Sequence, residues 1–283
     1  MQPYSYKSMV QEAEASLVLS GKDRGIAMLL LEDLFDISRA DFLLDGEEPV
    51  RDDEHMQFRG VIDDVISGVP YQYAIGFAWF FGEKFKVDAH TLIPRNETEE
   101  LVEHILNSET DDGRTVVDIG TGTGNIGLIL QNSWQNNEVI LTDMSTEALS
   151  VAMYNAEQFS ISPLMLAGNM YAPLIDRGLK ADVIVSNPPY IGYNETDEMD
   201  VSVLRHEPHE ALFASDDGLG FYKEMIDGLP EVLNFGGAVY FEIGWQQFQP
   251  LQQYISAKWP NTRPHLKKDI NGNDRILFFR WED

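Results

Sequence analysis

Between residues 4 and 70, apolar side chains recur every three or four positions: Met9, Ala13 and Leu17, then Ile26, Leu29, Leu30 and Leu34. That period matches one face of an α-helix, so the stretch predicts a set of amphipathic helices. Ser38 ahead of Arg39-Ala40-Asp41 offers a side-chain oxygen to start a helix, and residues 52–66 continue the helical pattern. Residues 71–87 break it. Aromatics crowd between glycines there (Gly76, Phe77, Trp79, Phe80, Phe81, Gly82, Phe85), which predicts a β-hairpin whose stripe serves packing. From Thr115 onward, short β-branched runs alternate with helical patterns, implying an α/β fold on a mainly parallel sheet. Runs at 238–243, 262–266 and 275–279 predict the last strands, with Asn271-Gly272 as the turn between the final two. The expected organisation is a helical domain at 1–70, a hairpin linker at 71–90 and an α/β domain at 91–283.

Chemistry concentrates where strands end. The run 181–186 predicts a buried strand that terminates in Asn187-Pro188-Pro189-Tyr190. Each proline lacks an N–H, has φ near −65° and pushes the preceding residue into extended conformation. The result is a stiff platform of backbone carbonyls, with the Asn187 carbonyl and the flat Tyr190 ring beside them. Two acceptors and a ring can hold a planar –NH2 group, so the motif suits chemistry at an amide or aromatic amine nitrogen. Taken alone, Pro-Pro could simply end a strand. A second motif upstream argues otherwise.

That motif is Val116-Val117-Asp118-Ile119-Gly120-Thr121-Gly122-Thr123-Gly124-Asn125-Ile126-Gly127. A β-branched run leads into alternating glycines, which permit positive φ and close ligand approach, and then into a helix. This is a strand–loop–helix nucleotide site of a Rossmann-like domain, with Gly120, Thr121, Gly122, Thr123 and Gly124 against the ligand. Gly122, Gly124 and Gly127 also satisfy G-x-G-x-x-G, so NAD competes with S-adenosylmethionine. Asp118 brings an acidic residue where NAD would place pyrophosphate. Asp143, ending the next run at 139–143, can take both ribose hydroxyls of either cofactor. Asn187-Pro188-Pro189-Tyr190 breaks the tie, because hydride transfer has no use for an amine-holding platform.

These residues together resemble the protein-glutamine N5-methyltransferases that modify peptide-chain release factors. Leu92-Ile93-Pro94-Arg95-Asn96-Glu97-Thr98-Glu99 is similar to the family's Pro-Arg-Pro-Glu-Thr-Glu segment, with Asn96 replacing its second proline. Glu207-Pro208-His209-Glu210-Ala211-Leu212, Asp217-Gly218-Leu219, Glu242-Ile243-Gly244-Trp245-Gln246-Gln247 and Asn271-Gly272-Asn273-Asp274-Arg275 resemble its later signatures. The resemblance implies an S-adenosylmethionine-dependent enzyme that methylates the glutamine of the Gly-Gly-Gln loop of class-1 release factors. It also implies that the N-terminal helices help grip that substrate. At Gly168-Asn169-Met170-Tyr171 the family commonly has Asp and an aromatic residue near the adenine, so Asn169 and Met170 are the expected cofactor contacts here. Asn187 and the Pro188 carbonyl are expected to accept the two amide hydrogens, Pro189 to stiffen the platform and Tyr190 to pack on the amide plane.

Composition narrows the alternatives. Asn-Pro-Pro-Tyr also occurs in adenine N6-methyltransferases acting on DNA. With 47 acidic against 20 basic residues, net −27, the chain is poorly suited to contact many phosphates. A basic protein surface is a better partner for that charge. Acidity is equally compatible with a role in solubility alone; a non-catalytic adaptor is disfavoured by the two intact motifs. No apolar run approaches membrane-spanning length, the first residues do not read as a signal peptide, and there are no cysteines. A cytoplasmic monomer is expected. His206 and His209 are three apart beside Glu207 and Glu210, but Pro208 interrupts any helix between them and no metal is expected.

Overall fold

The structure, a computed structural model, describes residues 4–194 and 201–282. The chain divides into two units, one ending at Gly76 and one beginning at Phe77.

The first unit is helical, as the periodicity predicts. Helices α1 (Tyr6–Leu19), α2 (Ile26–Phe35), α3 (Arg39–Asp45) and α4 (Asp52–Ser67) are followed by a short α5 (Tyr71–Ile75). Ser38 caps α3: its hydroxyl accepts from the Asp41 N–H, and the Asp41 side chain accepts from the Ser38 N–H. Met9, Ala13, Leu17, Leu30, Leu31, Phe58, Ile62 and Val65 form the core of this unit. The hairpin expected over 71–87 is therefore shorter than the sequence suggested. Residues 71–75 are helical, Gly76 ends that helix in the left-handed conformation, and the hairpin is β1 (Phe77–Phe80) with β2 (Glu83–Lys86). The aromatic count masked the helix. The hairpin belongs to the second unit, where Phe80 and Phe85 are core residues and the Asn155 side chain bonds both backbone groups of Lys86.

The second unit is built on seven strands. They are β3 (Thr115–Ile119), β4 (Glu138–Asp143), β5 (Leu164–Ala167), β6 (Ala181–Ser186), β9 (Leu233–Glu242), β10 (His265–Lys268) and β11 (Asp274–Arg280). Their order is β10-β11-β9-β6-β3-β4-β5, parallel from β9 to β5, with β11 antiparallel to both neighbours. The penultimate strand starts at His265 rather than at 262, and Asn271-Gly272 makes the predicted turn. Strands β7 (Ile191–Gly192) and β8 (Phe213–Ala214) form a small separate pair.

Side chains alternate between the faces of a strand, so a doubly covered sheet must be apolar on both. Val117, Ile140 and Ile184 pack on one side with α8 (Gly220–Val232) and α9 (Phe248–Lys258). Their neighbours Val116, Val139, Leu141, Val183 and Val185 pack on the other with α6 (Asn96–Ser108) and α7 (Asn125–Ser133). The strand order reverses between β3 and β6. In such sheets the crevice beyond the C-terminal ends of the strands at that point is where ligands bind.

Candidate active site

Four strand ends converge on that crevice. The glycine loop leaves β3, Asp143 ends β4, Asn169 and Met170 follow β5, and Asn187 follows β6. A cavity of about 320 Å³ opens there, lined by Gly120, Thr121, Gly122, Thr123, Asp143, Asn169, Met170, Asn187, Pro188 and Pro189. Its volume is within the range of small-molecule sites. Two expected residues stand apart. Gly124 is not in the wall: a side chain there would meet Leu128 Cδ1 at 2.8 Å and Ala152, so this glycine serves packing under the loop. Tyr190 borders a second cavity of about 220 Å³, which Leu92, Arg95, Asn187, Pro188 and Leu212 also line. Asn187 and Pro188 thus stand in the wall of both cavities.

The loop's geometry speaks against a diphosphate. Gly120, Gly122 and Gly124 all have positive φ, but their amides are already engaged, Gly120 N–H with the Thr142 carbonyl and Gly124 N–H with the Thr121 carbonyl, and carboxylates take two further loop amides. Gly122 N–H donates to Asp143 Oδ2 at 2.9 Å, and Gly127 N–H donates to Asp118 Oδ2 at 3.0 Å, with Thr121 Oγ1 donating to the same oxygen at 2.6 Å. Two acidic groups at this helix start would repel a pyrophosphate and suit a cationic nucleoside. Burial pushes the Asp118 carboxyl up to about 7 against those two hydrogen bonds, and burial also raises Asp143. Gly127 meets the remaining demand of the pattern. A Cβ there would lie 2.0 Å from Leu141 Cδ2, so only glycine lets α7 sit this close to the sheet.

The platform after β6 is held from several sides. The Tyr190 carbonyl accepts from Gln247 Nε2 at 2.7 Å, and Gly218 passes so close that its Cβ would fall 2.1 Å from that carbonyl oxygen. This carbonyl is therefore committed rather than open. Burial pushes the Tyr190 phenol up to about 12, so it stays neutral. Asn187 Nδ2 donates to Thr98 Oγ1 at 3.1 Å, and Thr98 Oγ1 donates to Glu242 Oε2 at 2.6 Å. Nearby, Arg95 pairs with the buried Glu207, which also accepts from the Ile93 N–H. Thr98, Arg95, Glu207 and Glu242 had no role assigned from their residue types, although each lies in a segment that carries the family resemblance. Their signal is a contact between distant segments. His209 faces the Leu204 carbonyl at 2.8 Å, and among the described residues no cluster of three metal-ligating side chains forms.

Comparison with known proteins agrees with this architecture. The profile of the Methyltransferase small domain matches residues 96–215, and that of the PrmC N-terminal domain matches residues 8–76. Among solved structures, the hMettl16 catalytic domain bound to MAT2A 3'UTR hairpin 1 covers 90% of each chain with TM-score 0.56 at 18% identity. A methyltransferase from Pyrococcus furiosus gives TM-score 0.54 at 17% identity, covering 78% of this chain and 98% of that one. At such identity these likenesses establish the fold. Full-length relatives are far more similar. The release factor glutamine methyltransferase of Staphylococcus aureus is 39% identical over 98% of this chain and 99% of its own length. The Bacillus subtilis enzyme of that name is 39% identical over 94% of both chains. By both measures, identity and coverage, this chain belongs to the release factor glutamine methyltransferase family.

Proposed function

We propose that this enzyme transfers a methyl group from S-adenosylmethionine to the side-chain amide nitrogen of the glutamine in the Gly-Gly-Gln loop of class-1 release factors. The observation that carries the reading is the shared wall: Asn187 and Pro188 border both the nucleoside-sized cavity and the second cavity. Asp143 would hold the ribose hydroxyls, and Asn169 and Met170 the adenine end. Gly120 to Thr123 would lie along the ligand, with Gly124 acting through the packing beneath. Bound S-adenosylmethionine supplies an electrophilic methyl group on a sulfonium.

An amide nitrogen is a weak nucleophile because its lone pair is delocalised into the carbonyl. The chain's task is therefore orientation, which alone can contribute several kcal/mol. Asn187 Oδ1 and the Pro188 carbonyl would accept the two N–H hydrogens and favour positive charge gathering on nitrogen during transfer. The Tyr190 ring would lie on the amide plane, and Pro189 stiffens the platform. The amide nitrogen held there would take the methyl group as its bond to sulfur breaks, leaving a neutral thioether, and the amide's surplus proton would leave to water afterwards. No strong base is required beforehand.

The reading makes residues 1–76 a docking module for the release factor and the enzyme a cytoplasmic monomer acting on protein rather than nucleic acid. The net charge of −27 supports the last point. The decisive assay offers labelled S-adenosylmethionine with purified release factor, with the same factor carrying Ala for the loop glutamine, and with duplex DNA. Label on the wild-type factor alone is expected. Label on DNA, or on none of the three, overturns the proposal.

A further inference from the structure

Asn187 can accept a hydrogen from substrate only if its amide turns oxygen, not nitrogen, towards that substrate. The two ends of an amide are nearly equal in size, so the choice rests on what the neighbours offer. The neighbour here is a hydroxyl, which has one hydrogen to give. Thr98 gives it to Glu242 Oε2, 2.6 Å away. Thr98 Oγ1 can then meet Asn187 only as an acceptor, which selects the NH2 end at 3.1 Å and turns Oδ1 away.

The fold brings the three groups together from distant segments. Ser186 pairs with Phe241 across the parallel strands β6 and β9, so Asn187 and Glu242 emerge side by side at the C-terminal edge. Thr98 reaches both from the first turn of α6. Thr98 and Glu242 are 2% and 1% exposed, which keeps water from competing for the Thr98 hydrogen. We propose that Glu242 and Thr98 are positioning residues, a buried relay that locks the Asn187 amide with its oxygen towards the substrate nitrogen. The inference rests on the reading of Asn187 as the acceptor.

A buried carboxylate is costly and needs a reason. The nearby cations are engaged elsewhere, Arg275 with Asp269 and Arg95 with Glu207. Burial pushes the Glu242 carboxyl up to about 7; the Thr98 hydrogen bond, Arg275 and Arg95 pull it down, and Glu97 pushes it up. The Tyr190 and Tyr222 phenols also face it, both kept neutral by burial. Ionised, Glu242 is acceptor-only and fixes the sense of the relay. Protonated, it can donate to Thr98, whose own hydrogen is then free for Asn187 Oδ1 while its oxygen can still accept from Nδ2, so either end of the amide can face the hydroxyl.

Steady-state methylation of release factor at saturating cofactor tests this. Thr98→Val should lower kcat about tenfold, the scale of one positioning hydrogen bond, with both KM values within about twofold of wild type. Thr98→Ser should restore kcat to within about twofold, and in an Asn187→Ala background Thr98→Val should cost no more than about twofold. Wild-type kcat should rise with pH across neutrality, and Thr98→Val should flatten that rise. Unchanged kcat in Thr98→Val, or the same loss with and without Asn187, overturns the relay. Wild-type kcat in Asn187→Ala instead overturns the acceptor reading itself, a separate outcome. Should Thr98→Val fail to fold, Glu242→Gln decides: a flat pH profile supports the relay and a wild-type rise overturns it.

Discussion

Replacing Asp143 by alanine separates two tasks that this carboxylate performs at once. In the protein alone it organises the loop, with Oδ2 accepting from Gly122 N–H and Oδ1 from Ser145 N–H, both at 2.9 Å. Those amides line or border an open cavity, so water replaces the lost acceptor in part. A loss of about 1 kcal/mol per bond, or about 2 kcal/mol of stability, is expected. In the complex the same carboxylate would accept from two ribose hydroxyls. Charge-assisted bonds of this kind contribute about 1.5–3 kcal/mol each, net of the water they replace, so two at the low end give about 3 kcal/mol. A net loss of about 3 kcal/mol corresponds to roughly a hundredfold weaker cofactor binding. Isothermal titration of S-adenosylmethionine into wild type and variant measures the second effect, and thermal melting without ligand measures the first. A lowered melting temperature with affinity within about threefold of wild type would show that Asp143 shapes the loop only, and the ribose contact would have to be assigned elsewhere.

Three further outcomes follow from the same geometry. Asn187→Ala removes an acceptor needed during transfer, so kcat should fall by about 2–4 kcal/mol equivalent, roughly 30- to 1000-fold. Activity near wild type in the methylation assay would refute the assignment. Gly127→Ala forces a Cβ to 2.0 Å from Leu141 Cδ2, which should destabilise the chain by about 1–3 kcal/mol in urea titration despite alanine's higher helix propensity. Equal or greater stability would contradict the close packing described for α7. Glu242 governs a pH-dependent stability. Its folded carboxyl binds protons more tightly than its ordinary value of 4.5 and titrates near 7. The folded state therefore holds more protons between those values. Stability from this group is full below about 4.5, falls as pH rises to about 7 and is level beyond. Glu242→Gln removes that fall, so the variant should gain about 2–3 kcal/mol on wild type between pH 5 and pH 8 in denaturant titrations. A constant difference across that range would refute the buried, raised carboxyl.

Much of this protein is legible in one dimension because its causes are local. The three- and four-residue spacing in the first helices reflects helical geometry, and the β-branched runs that follow reflect a sheet buried on both faces. Gly120 and Gly122 announce a turn with positive φ, and Asn187-Pro188-Pro189-Tyr190 announces a stiff platform through the missing N–H groups and fixed φ of proline. Residues 71–75 show the limit. Their aromatic content suggests strand, yet they form one helical turn that Gly76 closes, a choice that short segments leave to packing. Gly124 looks like a ligand contact in the motif, but its positive φ and the closeness of Leu128 and Ala152 are what require glycine there, as Leu141 does at Gly127. The contacts of Thr98 with Asn187 and Glu242 are the clearest case of a tertiary decision. These residues are 89 and 144 positions apart, and only the adjacency of β6 and β9 brings the two carbonyl-bearing side chains to one hydroxyl. A residue's type states which hydrogen bonds it can make. Which one it does make, and hence which end of Asn187 faces the substrate, depends on a buried geometry that chain order alone does not contain.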